Sequence, residues 1–320
     1  MEGPYNVHLR EEYISRINKV QDYIEANISG DLSLVTLSRV ANFSPYHFHR
    51  IFCAIIGEPL SRYIQRIRLE RAALSLTANP KKVIAEIAYE YGFSTQASFS
   101  RAFKKHFGFS ASNLRADTTL INSKKCKTES KTRKDNLISV PYNNAVKDVS
   151  CTEGFTADYP FHVEVRDIQE MPVIYIRNIG MFDGYPGSFL SLLNKLLRWA
   201  GARGLVRHPD TKILSLYHDN PKVTEESRFR TSICITVPKD TASDGEIGKT
   251  TIPGGRYAVG HFILDAEQYA PVWDYIIGKW LPENGFRPDD RPCFEIYLND
   301  PREHPDGKSV VDMYIPVKPL

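Results

Sequence analysis

The sequence predicts an all-α domain followed by an α+β domain, and three features of the 320-residue chain support this. From residue 13 to about residue 114, apolar residues recur at helical spacing and no stretch alternates for long enough to form a strand. After Phe161, short alternating stretches are interleaved with two helical segments, residues 188–202 and 266–281. Each half also contains an internal repeat, and the chain is long enough for two separate cores.

A polar stretch separates the two halves. It is rich in Ser, Thr, Asn and Lys, with basic runs at residues 123–127 and 131–134, and it cannot bury enough apolar area to order by itself. We therefore predict an α-helical domain over residues 1–116, a polar linker over 117–159 and an α+β domain over 160–320.

Charge is distributed unevenly along the chain. Residues 1–135 carry a net charge of +8 and the remainder carries −5, which gives the formal total of +3. A basic first part suits a polyanionic partner, whereas an acidic second part does not. Neither a membrane-spanning apolar run nor a signal-peptide pattern is found, so we expect a cytoplasmic protein without a membrane partner.

The cysteines and histidines do not indicate a metal site. Five cysteines lie far apart, none in a Cys-x-x-Cys pair, which favours reduced thiols over a disulfide framework or a zinc site. His47 and His49 are two positions apart and would point to different faces of a helix. We expect no metal and no cofactor.

The repeat in the first half predicts two helix-turn-helix units. Residues 48–52 (Phe-His-Arg-Ile-Phe) return 51 positions later as residues 99–103 (Phe-Ser-Arg-Ala-Phe). Within each copy the two Phe residues are at i and i+4 and face the core together, so the residues between them face outwards. The predicted helices are residues 33–40 and 45–56 in the first unit, 83–91 and 95–107 in the second, and 60–76 between them.

These residues resemble the AraC/XylS family of transcription regulators over roughly residues 13–115. The second unit carries the family signature most fully, from Ile87-Ala88 through Tyr91-Gly92-Phe93-Ser94 to Phe107-Gly108. The resemblance implies that the second helix of each unit enters the DNA major groove, the two about one turn apart. Carried over by position, the implied base contacts are Tyr46, His49, Arg50, Gln96, Ala97, Ser100 and Arg101, and the implied phosphate contacts are Lys104, Lys105 and Arg115.

For an arginine taken alone, a solvated helix surface is the more common explanation. Arg50 and Arg101, however, occupy equivalent positions of a duplicated unit, which favours DNA contact for both. Tyr46 stands where many relatives have Trp, and Ala97 stands where some have a polar residue, so we expect a different or looser base readout there.

The repeat in the second half predicts a duplicated strand-helix-strand-strand unit. Residues 214–221 recur 80 positions later as residues 294–301, with apolar and polar positions in the same alternation. Each copy follows a helical segment that ends near a Trp and a Gly-containing turn. Two such units can pair into one curved antiparallel sheet with both helices behind it.

Residues 160–318 resemble the GyrI-like ligand-binding domain, most clearly from Trp273 to Tyr297. The resemblance implies a groove between the repeats that is lined by aromatics and holds an acidic residue, here Glu295. A carboxylate in an aromatic groove is costly to desolvate unless a cation neutralises it, so we expect a cationic or lipophilic ligand. The implied ligand-binding residues are Glu295, Tyr297, Tyr175, Tyr217 and Trp273; taken singly, each aromatic is more commonly a core residue.

Together these features predict a sequence-specific transcription regulator, an activator, whose C-terminal domain binds a small effector. The expected partners are double-stranded DNA, the effector and RNA polymerase, and the protein can act as a monomer or a dimer because one chain already supplies both groove contacts. Two alternatives stay open: a GyrI-like hydrolase of small lipophilic compounds with Glu295 activating a water, or a sensor that acts through a protein partner. The sequence carries no nucleophile elbow or phosphate loop, and we expect no enzyme activity.

Overall fold

The computed structural model describes residues 4–118, 120, 162–180 and 187–320. The chain divides into two compact units: residues 1–134 with 221–224 and 244–248, and residues 135–220, 225–243 and 249–320. Most of the predicted linker, residues 117–159, lies outside the described residues. In the described ranges, no helix is long and apolar enough to cross a membrane.

Between residues 4 and 118 every regular element that the structure describes is a helix, as predicted. Its helices are α1 Pro4–Ala26, α2 Leu34–Val40, α3 Pro45–Ile56, α4 Leu60–Ala78, α5 Ile84–Glu90, α6 Gln96–Phe107 and α7 Ala111–Ala116.

Side-chain caps define where α3 and α6 begin. The Ser44 hydroxyl accepts a hydrogen bond from the backbone N–H of His47, and Pro45 fills the first position of α3. Thr95 caps α6 in the same way, by accepting from the N–H of Ser98. Both helices end at a glycine in the left-handed conformation, Gly57 and Gly108, where residues with a side chain are strained.

Two apolar cores form in the unit, and α4 contributes to both. Leu60, Tyr63, Ile64 and Ile67 pack with α1–α3, whereas Leu69, Ala72, Ala73 and Leu76 pack with α5–α7. The duplication is therefore longer than the predicted two-helix repeat. Three buried residues of α1 have buried counterparts 52 positions later in α4: Ile17, Val20 and Ile24 correspond to Leu69, Ala72 and Leu76.

The second unit is an antiparallel sheet with helices. Its strands are β1 His162–Ile168, β2 Met171–Ile179, β3 Ile213–Tyr217, β4 Arg230–Thr236, β5 Gly248–Ile252, β6 Gly255–Leu264, β7 Phe286–Pro288, β8 Cys293–Tyr297 and β9 Ser309–Pro319. Its α-helices are α8 Gly187–Gly201, α9 Tyr269–Tyr275 and α10 Leu281–Glu283. A π-helix, Ile276–Trp280, joins α9 to α10, so the predicted helical segment 266–281 is one helical stretch of mixed type.

The strand-helix-strand-strand repeat is confirmed as β2-α8-β3-β4 and β6-α9-β8-β9. The strands lie in the order β1-β6-β9-β8-β3-β4-β2-β5, so the two repeats meet at the β3–β8 pair. One further strand precedes each repeat, and the two are exchanged: β1 pairs with β6 of the second repeat, and β5 pairs with β2 of the first. Nothing in the sequence pattern predicts this exchange.

Strand register determines which side chains share a face of the sheet. Ser215 pairs with Glu295, and their neighbours Leu214 and Ile296 pair with each other and point to the opposite face. Both helices lie on the Glu295 face, because Phe189 of α8 contacts Tyr297 and Trp273 of α9 contacts Glu295. This agrees with the prediction that both helices lie behind the sheet.

Candidate functional sites

The outward face of α3 carries the three residues implied as base contacts in the first unit. Phe48 and Phe52 are fully buried, whereas Tyr46, His49 and Arg50 are exposed. The Arg50 guanidinium lies over the Tyr46 ring at 5.7 Å and donates a hydrogen bond of 3.2 Å to its hydroxyl. Arg50 is therefore oriented by Tyr46 one helical turn earlier.

The outward face of α6 repeats this arrangement around Phe99 and Phe103, which are fully buried. The implied base and phosphate contacts on α6 are all exposed: Gln96, Ala97, Ser100, Arg101, Lys104 and Lys105. Arg115, in the last turn of α7, differs from them because it is only half-exposed. Its Nε and Nη2 atoms are buried and form no hydrogen bond with any residue that the structure describes. The role of each residue in DNA binding stays a prediction.

A cleft of about 690 Å³ separates the two helix-turn-helix units. His49 of α3 lines one side, Ser98 of α6 lines the other, and Arg68 of α4 also contributes to the lining. The two predicted recognition helices therefore flank one cleft and are held by α4.

In the second unit, Glu295 lies near the centre of the sheet and is 1% exposed. Trp273 donates its indole N–H to Oε1 at 2.7 Å, Tyr217 donates its hydroxyl to Oε2 at 2.8 Å, and Tyr297 donates to Oε2 at 3.1 Å. A fourth residue, Ser215, has its hydroxyl 2.9 Å from that of Tyr297. Three aromatic donors from β3, α9 and β8 therefore converge on one buried carboxylate.

Burial and hydrogen bonding shift the pKa of Glu295 in opposite directions. Burial raises the pKa of the Glu295 carboxyl to about 6, although the donors Trp273, Tyr217 and Tyr297 each oppose the shift. Burial, followed by the nearby charge of Glu295, raises the pKa of the Tyr217 hydroxyl well above its usual value. The same burial therefore favours the protonated form of both Glu295 and Tyr217.

Other buried carboxylates in the described residues are paired with arginine. Arg66 bridges Glu58 at 2.6 Å and Glu70 at 3.3 Å, and Arg230 pairs with Asp219 at 2.6 Å. Glu295 differs because, among the described residues, no Lys, Arg or His forms an ion pair with it. Its hydrogen-bond donors are neutral, so its charge has no counter-ion.

Four of the five predicted ligand-binding residues lie together, and Tyr175 does not. Tyr175 pairs with Cys234, which pairs with Leu214, and all three point to the face opposite Glu295. The expectation that Tyr175 shares a groove with Glu295 is therefore wrong, because adjacent strand positions alternate between faces and Tyr175 has the other phase.

Comparisons with known proteins agree with both units. Residues 37–117 match a helix-turn-helix domain model, and residues 161–318 match the GyrI-like small molecule binding domain. The HTH-type transcriptional activator AarP of Providencia stuartii is 36% identical over 108 residues, covering 34% of this chain and 79% of AarP. A DNA gyrase inhibitor of Yersinia enterocolitica is 34% identical over 110 residues, covering 33% of this chain and 69% of that protein. The chain belongs to the AraC-type regulators with a GyrI-like domain. A crystal structure of the EcmrR C-terminal domain is 18% identical, covers 51% of this chain and all of that one, and has a TM-score of 0.44.

In this GyrI-like regulator, sequence reasoning missed two residues of the Glu295 cluster. Ser215, the counterpart of Glu295 in the first repeat, is not among the predicted ligand-binding residues, yet its hydroxyl lies 2.9 Å from that of Tyr297. Phe189 was not singled out, although its ring lies 5.5 Å from that of Tyr297. The repeat alignment contained the signal for Ser215, since equivalent strands that pair bring equivalent residues together, whereas nothing in the sequence distinguished Phe189.

Proposed function

We propose that this chain is a transcription activator that reads an operator with α3 and α6 and binds a lipophilic cation at Glu295. The effector proposal rests on one observation above all: Glu295 is a buried carboxylate with three neutral hydrogen-bond donors, and no described residue supplies it with a counter-ion. A buried charge without a counter-ion is unfavourable, and a ligand cation among aromatic rings would offset that cost.

The ligand class follows from the surroundings of the carboxylate. Tyr217 and Trp273 contact each other edge to face at 5.8 Å, and Phe189 packs against Tyr297. Aromatic faces attract cations and apolar surface but offer little to anions, and the carboxylate repels anions. We infer a monovalent cation with a delocalised or shielded charge and a large apolar body.

Access to Glu295 requires a rearrangement of the aromatic donors. Both carboxylate oxygens already accept hydrogen bonds and the side chain is 1% exposed, so the ligand must displace at least one donor. Trp273 is the donor we expect to move, because it precedes the π-helix Ile276–Trp280 by three residues. π-Helical turns are less favourable than α-helix and are frequent at functional sites.

We infer binding rather than turnover at this site. A general base must reach a water, and the Glu295 oxygens are occupied by Trp273, Tyr217 and Tyr297. The hydrolase alternative predicts product formation from a lipophilic ester, whereas the binding proposal predicts none.

For the first unit, we propose that effector binding changes how the exposed faces of α3 and α6 engage a promoter, with RNA polymerase as the further partner. The similarity to the activator AarP and the outward-facing Arg50 and Arg101 support this proposal. A single chain suffices for two groove contacts, so the minimal DNA-bound species is a monomer.

Titration calorimetry with tetraphenylphosphonium and its neutral analogue triphenylphosphine oxide tests the effector proposal. We expect the cation to bind the wild-type chain. Glu295→Gln should lower the affinity for the cation by at least about tenfold, or ~1.4 kcal/mol, and should change the affinity for the neutral compound far less. Glu283→Gln, at an exposed carboxylate on α10, is the charge-matched control and should leave both affinities unchanged. Equal losses for both compounds in Glu295→Gln would show that charge pairing is not the mechanism.

A further inference from the structure

Arg68 lies where the two helix-turn-helix units meet. The α4 helix enters the first core through Ile67 and its preceding turns, and it enters the second core from Leu69 onwards. Arg68 falls between these two residues, is half-buried and lines the cleft between the units.

The guanidinium of Arg68 donates to backbone carbonyls on both sides. Nε donates to the Ile28 carbonyl at 2.9 Å and Nη2 donates to that of Gly30 at 3.4 Å, both in the segment between α1 and α2. Nη1 donates to the Gly92 carbonyl at 3.0 Å, in the turn between α5 and α6. Arg68 therefore connects the segment that precedes α2 in the first unit to the turn that precedes α6 in the second.

Gly92 fits this contact closely. Its φ of 76° is left-handed, and a Cβ built at this position would lie 2.7 Å from the Cζ and Nη2 atoms of Arg68. The equivalent turn residue in the first unit is Asn42, whose φ of 54° is also left-handed. The turn conformation alone therefore does not demand glycine, whereas the approach of Arg68 does.

Arg16 provides an internal comparison. It lies on α1 as Arg68 lies on α4, 52 positions earlier, and its Nη1 donates to the Asn42 carbonyl at 2.8 Å. Each arginine thus holds the turn of its own unit. Arg68 alone of the two has hydrogen bonds to carbonyls of the other unit as well.

We propose that Arg68 fixes the separation and relative rotation of α3 and α6, and thereby determines the half-site spacing that the protein accepts in an operator. The proposal rests on the DNA-reading role proposed above for the two helices. A planar guanidinium can hold three carbonyls in a fixed geometry, whereas the ammonium of a lysine is a point charge on a flexible chain. Without the guanidinium of Arg68, the two helix-turn-helix units keep their own cores but lose the hydrogen bonds that connect them through this side chain.

The spacing of DNA sites makes this measurable. One inserted base pair moves two half-sites apart by about 3.4 Å and rotates one by about 35° relative to the other. If α3 and α6 are held rigidly, the altered half-site spacing costs base contacts. If they can move relative to each other, the base contacts are kept, but binding must order the two helices and pays an entropy cost.

The experiment begins by selecting duplexes from a random library with the wild-type full-length chain. The selected sequence is then rebuilt with one base pair inserted or removed between its half-sites, and affinities are measured for wild type, Arg68→Lys and Arg16→Lys. We expect wild type and Arg16→Lys to lose at least about tenfold on either altered spacing, the value of one or two base contacts. For Arg68→Lys the affinities for the three spacings should agree within about threefold, and the affinity for the original duplex should be lower than that of wild type.

A second pair of variants reaches the same contact without changing the arginine. Gly92→Ala should displace the guanidinium and relax spacing selectivity, whereas Gly108→Ala has a similar left-handed φ of 83° and no atom within 4 Å of the added Cβ. Gly108→Ala therefore matches the backbone strain and should keep wild-type selectivity. A thermal melting curve of each variant serves as the control for folding.

The outcomes separate the proposal from the function on which it rests. A selection that enriches no sequence would overturn the DNA-reading role of α3 and α6. If two half-sites are enriched and Arg68→Lys and Gly92→Ala discriminate spacing as sharply as wild type, the role of Arg68 is overturned and DNA reading stands.

Discussion

Ser215 and Glu295 are direct partners in the β3–β8 pair, although they occupy equivalent positions of two repeats that are 80 residues apart. Equivalent residues of two repeats can pair directly only if the local twofold axis that relates the repeats passes between them. The carboxylate of Glu295 and the hydroxyl of Ser215 therefore lie on either side of this local twofold axis. The duplicated fold supplies two matching sides, and a single Glu makes them chemically unlike.

The buried charge of Glu295 should lower the stability of the second unit at neutral pH. Its pKa is about 6 in the folded protein and 4.5 as the ordinary value, so folding favours the protonated form. The unfavourable contribution is absent below about pH 4.5, grows between pH 4.5 and 6, and is constant above. Between pH 4.5 and a pH above 6, the stability of Glu295→Gln relative to wild type should therefore rise by about 2 kcal/mol, because only wild type acquires the buried charge.

Tryptophan fluorescence during urea unfolding measures this difference. All three tryptophans, Trp199, Trp273 and Trp280, lie in the second unit, so the signal follows that unit. A stability difference between the two proteins that does not change from pH 4.5 to pH 7 would contradict an elevated pKa for Glu295.

Removing the indole donor should move the pH dependence of cation binding. Trp273→Phe deletes the 2.7 Å hydrogen bond that favours the ionised carboxylate, so the pKa of Glu295 should rise above about 6. Tetraphenylphosphonium affinity, which should increase as Glu295 ionises, would then reach its plateau at higher pH than in wild type. Calorimetry from pH 5 to 8 measures the midpoint, and Trp280→Phe, in the same helical stretch, should leave it in place.

Base and phosphate contacts on α6 should respond differently to substitution. Arg101→Ala should lose about 1–3 kcal/mol on a selected duplex and discriminate less at one base pair. Lys105→Ala should weaken binding to all duplexes alike and reduce the salt dependence by about one counter-ion. Affinities over a salt series measure both effects, and a uniform loss for Arg101→Ala would reassign it to the backbone.

The Asp219–Arg230 pair should contribute to the stability of the second unit. Asp219 accepts from Nε at 2.8 Å, from Nη2 at 2.6 Å and from the Arg230 backbone N–H at 2.9 Å, and both side chains are buried. Asp219→Asn removes the carboxylate charge that pairs with this buried guanidinium, which should cost about 3–5 kcal/mol in urea unfolding. Asp300→Asn, in the exposed pair with Arg302, is the control and should unfold like wild type.

Local sequence signals predicted the helical unit well. Ser44-Pro45 and Thr95 define helix starts through hydrogen bonds that form within three residues, and Gly57 and Gly108 define helix ends in the same local manner. The second repeat also predicted the duplicated strand-helix-strand-strand unit of the antiparallel sheet. These features depend on neighbours in the chain, which a single sequence contains.

The features that sequence reasoning did not predict depend on pairing between distant strands. The resemblance to the GyrI-like domain implies that Tyr175 lines the Glu295 groove, but the face on which Tyr175 lies is determined by the β2–β4 register. The π-helix after Trp273 and the hydrogen bond between Ser215 and Tyr297 likewise follow from tertiary packing. No local pattern of polar and apolar residues distinguishes these arrangements from their alternatives.

The exchange of β1 and β5 makes each repeat incomplete on its own. A fragment containing only β1, β2, α8, β3 and β4 would present three unpaired edges, at β1, at the outer side of β2 and at β3. Neither half is therefore an autonomous folding domain, and a protease cut between β4 and β5 should leave two pieces that stay associated. For protein engineering, the smallest transferable unit is the whole of residues 162–319, and we expect a split version to reassemble by strand complementation.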